Sequence, residues 1–490
     1  MALLLIFNGL GAQFDDEWDN FVGGLLIGQG RVLYRDIFSH HFPLPYLMSA
    51  VYQLFLDRNP LAIRIFYAAS VLLLAIGIDR LVGRRDGVFP RRVTFLIYAL
   101  VGPVLLLQML LAESIAFYLF GAALVLLQIP EFKRGWTDGL VLALIGGLLI
   151  LTSQAYVLLG VSIGFSGVWV ALKHKAGHRR TVICGLALLT PALVFALYLW
   201  MAGAFSDFIY QTVTFNREHY FKFAAGPGKD LNDLLFSIFI RPLASLGAML
   251  LWQGEVSSRL VYLLLALAGL ARLVVLWSEG RRAVAFLFGT LWVLSMTRFN
   301  PGAVFWEVHN SVALVWPLTA LSYLSFHTFT RVVQRSPGSR AVLAAALPLL
   351  VGMPLMIRVP MEWRLRLEGD WIPRHDAFAS RLERLVPEGQ SYWSGPFLFR
   401  TIFFTRRNLA TRYTFFLPWH GDSRRVTQGM LHDLKRERPA VVLFQGAFAT
   451  WGSVPAYQYA SPIYGFLMQH YVQRKSKRLS DFFFREDLKG

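Results

Sequence analysis

Along most of the first 357 residues, apolar positions do not alternate with polar ones. They come in unbroken runs separated by short basic segments. Such runs read as transmembrane helices, because about 20 apolar residues span the hydrocarbon core of a bilayer. The pattern predicts spans over roughly 1–14, 61–78, 93–111, 115–129, 137–153, 156–172, 181–203, 259–277, 283–297, 311–327 and 341–357. The first run is short for a span, which leaves open whether the native start lies upstream. PLPYLMSAVYQLFL (43–56) and SIFIRPLASLGAMLLW (237–252) are also short, and a crossing at 43–56 would carry the Arg-rich segment after it to the opposite side. Both are predicted as helices lying at the interface. About eleven spans result.

Five basic segments, DRLVGRRDGVFPRR (79–92), EFKRGW (131–136), KHKAGHRR (173–180), SEGRR (278–282) and HTFTRVVQRSPGSR (327–340), then fall on one side. The bias of Lys and Arg toward the cytoplasm assigns that side. The outer face holds loop 15–60, loop 204–258 and everything after about 358. From 374 on, the pattern changes. RHDAFASRLERLVP and SRRVTQGMLHDLKRER have helical periodicity, SYWSG and TRYTFF read as extended, AVVLF as a buried strand, and FLFRTIFFTRR is ambiguous. This alternation predicts a small outer α/β domain, giving a membrane domain at 1–357 and a second domain at 358–490.

Composition agrees. Of 490 residues, 55% are hydrophobic and only 16% charged, and mean hydropathy is +0.48; a soluble chain carries about a quarter charged. The net charge of +18 does not indicate nucleic acid, because much of the excess lies between spans and no recognition motif accompanies it. A single cysteine, Cys184, excludes an internal disulfide framework and a Cys-rich metal site. Residues 358–490 carry 21 Lys/Arg against 12 Asp/Glu, a balance suited to guiding an anionic acceptor or resting on lipid headgroups.

Candidate chemistry begins where the chain leaves the first apolar run, at FDDEWDNF (14–21). Asp15, Asp16, Glu17 and Asp19 sit near the headgroups, where ionised acids are costly. A further acid, Glu113, stands between two apolar runs on the same face. Cations gather there too: His40 and His41, then Arg217, His219 and Lys222 in FNREHYFKF, then Arg298 and His309 in TRFNPGAVFWEVHN. Taken singly, each reads as a solvated loop residue or a snorkelling side chain. Together they suit a lipid phosphate held by cations, with a carboxylate deprotonating an attacking hydroxyl. The competing class is a flippase or transporter of lipid-linked sugars. The predicted spans hold few acids, and neither the inverted repeats nor the broken helices with midplane sites of such proteins are seen in the sequence. Trp393, Phe397, Phe399, Trp419 and Trp451 are candidates to stack on sugar rings or to form core.

At these residues the sequence resembles the GT-C type of integral-membrane glycosyltransferase, especially the branch of protein O-mannosyltransferases and the aminoarabinose transferase of lipid A. The carriers are Asp16-Glu17 after the first span, Gly28, the segment His41-Phe42-Pro43-Leu44, and GQGRVLYRDIFSHHFPLPY with Gly30, Tyr34 and Asp36. More weakly, LAESIAFYLF matches the family's second outer acid at Glu113, and EHYFKF places Lys222 at a family arginine. The resemblance covers roughly 1–130 and 205–330. It implies an inverting transfer from a polyprenyl-phosphate sugar to a glycan, lipid or protein hydroxyl, at the outer face of a bacterial inner membrane. It implies Asp16 as base, with Glu17 and Glu113 beside it, and His41, Lys222, Arg298 and His309 on the donor phosphate. His41 replaces a lysine and Lys222 an arginine, so phosphate binding at His41 would depend on its protonation. No cofactor is expected. Asp15-x-Glu17 or Glu17-x-Asp19 could supply oxygens to a divalent metal, which the branch does not require.

Overall fold

The computed structural model describes residues 1–9, 14–83, 88–130, 134–173, 177–225, 240–251, 259–299, 308–335, 372–450, 454–473 and 481–488. The helices run α1 (Ala2–Gly9), α2 (Asp15–Gly28), α3 (Leu44–Gln53), α4 (Pro60–Val82), α5 (Val88–Val101), α6 (Ala112–Gln128), α7 (Trp136–Ile150), α8 (Val157–Lys173) and α9 (His178–Met201). Further apolar helices follow at Arg259–Ser278, Arg282–Ser295 and Val315–Arg335. Among the described residues, four helices are long and apolar enough to cross a membrane: Pro60–Val82, Gln154–Lys173, His178–Met201 and Arg259–Ser278. The predicted span 341–357 and Trp451 lie outside the described residues. On α9, Leu186, Leu193, Leu197 and Trp200 are all more than half exposed, a face suited to lipid.

Two sequence readings are corrected. The span expected over 93–111 ends at Val101 and gives way to turns, with Leu106 at φ +54. Gly102-Pro103 explains the break: proline lacks the donor and disfavours helix in the residue before it. TRYTFF forms no strand; its first residue, Thr411, and Tyr413 instead exchange local hydrogen bonds.

Close packing depends on glycine at several helix contacts, two of which bear on the first loop and the turn beneath it. Gly146 of α7 meets the backbone of Gly160 and Gly164 on α8, so that an added Cβ would lie 2.5 Å from Gly160 O. Gly23 of α2 holds the Tyr46 ring of α3, with a Cβ position 2.2 Å from Tyr46 Cδ1. Small residues of this kind let helix backbones approach within a membrane protein.

The C-terminal region contains a five-stranded mixed sheet, order β2-β1-β3-β7-β6. Its strands are β1 (Ser391–Gly395), β2 (Asn408–Leu409), β3 (Val441–Phe444), β6 (Tyr471–Gln473) and β7 (Phe482–Arg485), while β4 (Ala449–Thr450) and β5 (Val454–Pro455) make a hairpin. β1 runs parallel to β2 and β3, and β7 is antiparallel to β3 and β6. This region presses onto the first loop. Trp18 and Phe21 pack on Phe403 at 5.5 and 5.7 Å between centroids, and Arg31 donates to Leu409 O (2.6 Å) and Thr411 O (3.2 Å).

Candidate active site

The acids of FDDEWDNF begin a helix rather than float in a loop. Phe14 is extended and α2 starts at Asp15, putting three carboxylates in the first turn, where unpaired N–H groups favour negative charge. Positions three and four apart share a helix face, and the next residue turns about 100° away. Asp15, Asp16, Asp19 and Asn20 accordingly line a cavity of ≈ 390 Å³, and Glu17 does not.

Glu17 is buried against α4. Arg64 grips it through Nε (2.9 and 3.1 Å to the two oxygens) and through Nη2, with both side chains at most 1% exposed. Glu17 Oε1 also accepts the Leu110 N–H at 2.9 Å, and Asn20 Nδ2 donates to Leu110 O at 2.8 Å. This clamp on the Leu110 peptide sets the entry to α6, and so the position of Glu113 three residues on.

Glu113 is not a free acid. Arg298 donates to its Oε1, and His309 Nδ1 lies 3.1 Å from the same oxygen. Arg298 Nη2 and His309 Nε2 are 3.5 Å apart. All three line the cavity beside Asp16. Asp16 is half-buried and, among the described residues, has no hydrogen-bond or ion-pair partner. Burial pushes its carboxyl up to about 6; His309 and Arg298 restrain the rise and Glu113 adds to it. One turn on, Asp19 accepts the Tyr46 hydroxyl proton, and burial raises its carboxyl to about 7.

The segment bearing His40 and His41 is fixed from several sides. Gln154 Nε2 and Asn216 Nδ2 both donate to His40 O at 2.8 Å, and Ser39 N–H donates to Gln211 Oε1 at 2.8 Å. Tyr34, at φ +70, donates its hydroxyl to His41 O (2.9 Å); it holds this segment from outside the cavity. Both histidines line the cavity, but neither is a cation at neutral pH: burial pushes His41 down to about 4 and His40 well below its usual value. The sequence had counted them among the cations.

Other predicted residues fall elsewhere. The helix begun at Phe205–Ile209 takes π geometry over Tyr210–Thr214 and Asn216–Tyr220, which rotates its faces. Tyr220 reaches the cavity, whereas His219 Nδ1 pairs with Asp422 (2.7 Å) and Lys222, 53% exposed, lies 4.0 Å from the same carboxylate. Asp36 pairs with Arg35 at 2.8 Å and borders a different groove. Asp19, one of the acids picked out in the sequence, does line the cavity; sequence reasoning missed Tyr220 and the Tyr46 and Arg64 partners, for which the signal was an arginine, Arg64, inside an apolar run.

The C-terminal region closes the cavity with Phe397, Phe399, Phe415, Trp419 and Phe448, while Trp393 is core at 0% exposure. Among the described residues no three His, Cys, Asp or Glu gather as metal ligands. Asp15-x-Glu17 and Glu17-x-Asp19 do not converge, because residues two apart on a helix do not face each other.

No protein-family model matches the chain, and no curated protein does. Among solved structures, the chain is similar to ArnT from Cupriavidus metallidurans bound to undecaprenyl phosphate, at 13% identity and TM-score 0.51, over 100% of this chain and 97% of that one. ArnT from the same organism in the apo state aligns at 13% identity and TM-score 0.46, over 89% of this chain and 87% of that one. The likeness to the first extends over the whole chain and shows a shared fold: this chain adopts the fold of that ArnT structure.

Proposed function

We propose that this chain, with its GT-C fold, transfers a sugar from a polyprenyl-phosphate donor to an acceptor hydroxyl, and that Asp16 is the general base. The carrying observation is the cavity itself, where Asp16, without a partner among the described residues, shares the lining with the Glu113–Arg298–His309 cluster. ArnT holds undecaprenyl phosphate on the same fold, which supports a polyprenyl-phosphate ligand here.

In this reading the acceptor O–H gives its proton to Asp16. The oxygen forms a bond to the anomeric carbon, and the bond from that carbon to the phosphate oxygen breaks with its electron pair leaving on the phosphate. Attack from the face opposite the leaving group inverts the centre. Arg298 keeps donors beyond the one used on Glu113, and with His309 it offsets the charge developing on the phosphate. Glu113 orients these two groups instead of acting as a second base. His41 contributes as a neutral hydrogen-bonding group. Glu17 is a positioning residue that sets the entry to α6. His219 and Lys222 lie with Asp422 outside the cavity lining, and Asp15 is its exposed acid.

The wider frame remains the sequence-based one: about eleven spans, a membrane domain at 1–357, a second domain at 358–490, and the cavity at the extracytoplasmic face of a bacterial inner membrane. The test is transfer of labelled sugar from a panel of polyprenyl-phosphate sugars in membranes holding wild type or Asp16→Asn. Transfer that collapses in the variant while donor binding persists supports the reading. Equal transfer removes Asp16 from the mechanism, and lipid translocation without transfer from any donor replaces it with transport.

A further inference from the structure

We propose that a second groove, at the seam between the first loop and the C-terminal sheet, holds an anionic oligosaccharide that is the acceptor of the transfer. The inference rests on the transferase reading for the word acceptor, and on the groove alone for the ligand class.

The groove has a volume of ≈ 980 Å³, ample for several sugar rings. It is bounded by the 31–36 turn, by the start of β1, by edge strand β2, and by the face of the helix Arg424–Glu437 that carries Gln428, His432 and Arg436 at four-residue spacing. Six arginines line it against three carboxylates. Two of the six pair with carboxylates at its edge, Arg35 with Asp36 (2.8 Å) and Arg436 with Glu437 (2.9 Å), and Arg485 pairs with Asp487 (2.6 Å). The other three, Arg31, Arg412 and Arg438, have no carboxylate within ion-pair distance among the described residues. Arg31 spends both terminal nitrogens on the carbonyls of Leu409 and Thr411, and Arg412 gives one to the Tyr413 hydroxyl. Neither partner cancels a charge. Arg438 closes the helix in the left-handed conformation at φ +43, and its carbonyl accepts from Arg485 at 2.7 Å.

Six guanidinium groups against three carboxylates leave the groove lining net positive, and planar donors favour phosphate, sulfate or carboxylate. The rest of the lining fits sugar hydroxyls, with the amides of Gln390, Asn408 and Gln428 and the Ser391 hydroxyl around it. A free phosphate would leave most of that length unused.

The groove wall is also bonded to the chain segment that leads to the cavity. Phe38 N–H donates to Arg412 O at 2.8 Å, so the groove wall is bonded to the segment that ends in His40 and His41. Asp36 borders the groove and His40 the cavity. They are four positions apart, at most about 14 Å along an extended chain. An oligosaccharide of a few rings covers that distance.

The test is direct binding to the full chain in detergent micelles, by calorimetry. The probes are a heparin-derived tetrasaccharide, tetragalacturonate, uncharged maltotetraose, inorganic pyrophosphate and vesicles of phosphatidylglycerol. The variants are Arg438→Asn, because asparagine tolerates the left-handed conformation, and the double variant with the exposed His432→Glu. Expected is binding of an anionic tetrasaccharide that weakens with salt, at least tenfold weaker in the double variant, with maltotetraose and pyrophosphate binding less well. Melting temperature stays at the wild-type value, and Asp16→Asn binds the tetrasaccharide as wild type does. The proposal is overturned if the double variant binds equally, if Asp16→Asn loses binding, if pyrophosphate or maltotetraose does as well, or if only the vesicles bind. None of these readings involves turnover, so a failed groove and a failed transferase are separate results.

Discussion

The two faces of α2 make the most instructive comparison in the molecule. On one, Asp16 and Asp19 border a cavity, and Asp16 has no partner among the described residues. On the other, Glu17 is closed in by Arg64 and the Leu110 N–H, with no exposed surface. The three carboxylates lie within four consecutive positions and share one charge. Their surroundings separate them: burial at the cavity raises Asp16 and Asp19, while Glu17 is held in a buried ion pair with Arg64. Adjacent acids in a sequence are therefore not interchangeable candidates for a base.

The comparison can be broken by mutation. Asp16→Asn lowers transfer by about 10²–10⁴-fold, the usual worth of a general base, while donor binding persists, as equilibrium titration would record. Glu17→Gln has the opposite signature. It strands a buried Arg64 and costs about 3–5 kcal/mol of stability, read as early thermal unfolding in detergent. Activity per folded molecule changes far less. Glu17→Leu with Arg64→Met recovers part of that loss; a double variant no more stable than Glu17→Gln alone would show that the pair is not the source.

A pH profile sharpens the same contrast. In the proposed mechanism the active form of Asp16 is the carboxylate, and its folded pKa is raised to about 6. The active form is therefore lost as pH falls through about 6, and kcat/KM drops about tenfold per unit below it. An unperturbed aspartate would hold activity to about pH 4. The folded state retains this proton where the unfolded chain has lost it, so the group makes stability decline as pH rises from about 4 to about 6. Asp16→Asn accordingly melts no lower than wild type at pH 7.5. The smallest effect is expected for Tyr46→Phe, which removes the hydroxyl that Asp19 accepts and costs about 1 kcal/mol; a loss of transfer beyond tenfold there would give Asp19 a part in the chemistry.

The membrane character was legible because apolar runs carry their own signal, and the first loop because Asp16-Glu17, Tyr34 and His41-Phe42-Pro43-Leu44 stand in a recognisable order. The division of labour among these residues was not legible. Glu17 meets Arg64 across 47 positions and Glu113 meets Arg298 across 185, and no local periodicity encodes such pairings. The acids were read as a loop although three of them form a helix's first turn, since the apolar residues after them look like one more run. Lys222 was chosen by order along the chain, and the π turns before it bring Tyr220 to the cavity instead.

The glycine seam between α7 and α8 has a remote effect on the cavity. The turn joining the two helices holds the cavity's histidines from below: Gln154 donates to His40 O, and Leu44 N–H donates to Leu151 O at 2.9 Å. With no side chains between Gly146, Gly160 and Gly164, the two helices act as one stiff lever whose tip is that turn. A single methyl group at Gly146 is a wedge near the fulcrum: it would tilt the tip and shift the cavity's histidine segment without touching any residue of the cavity lining.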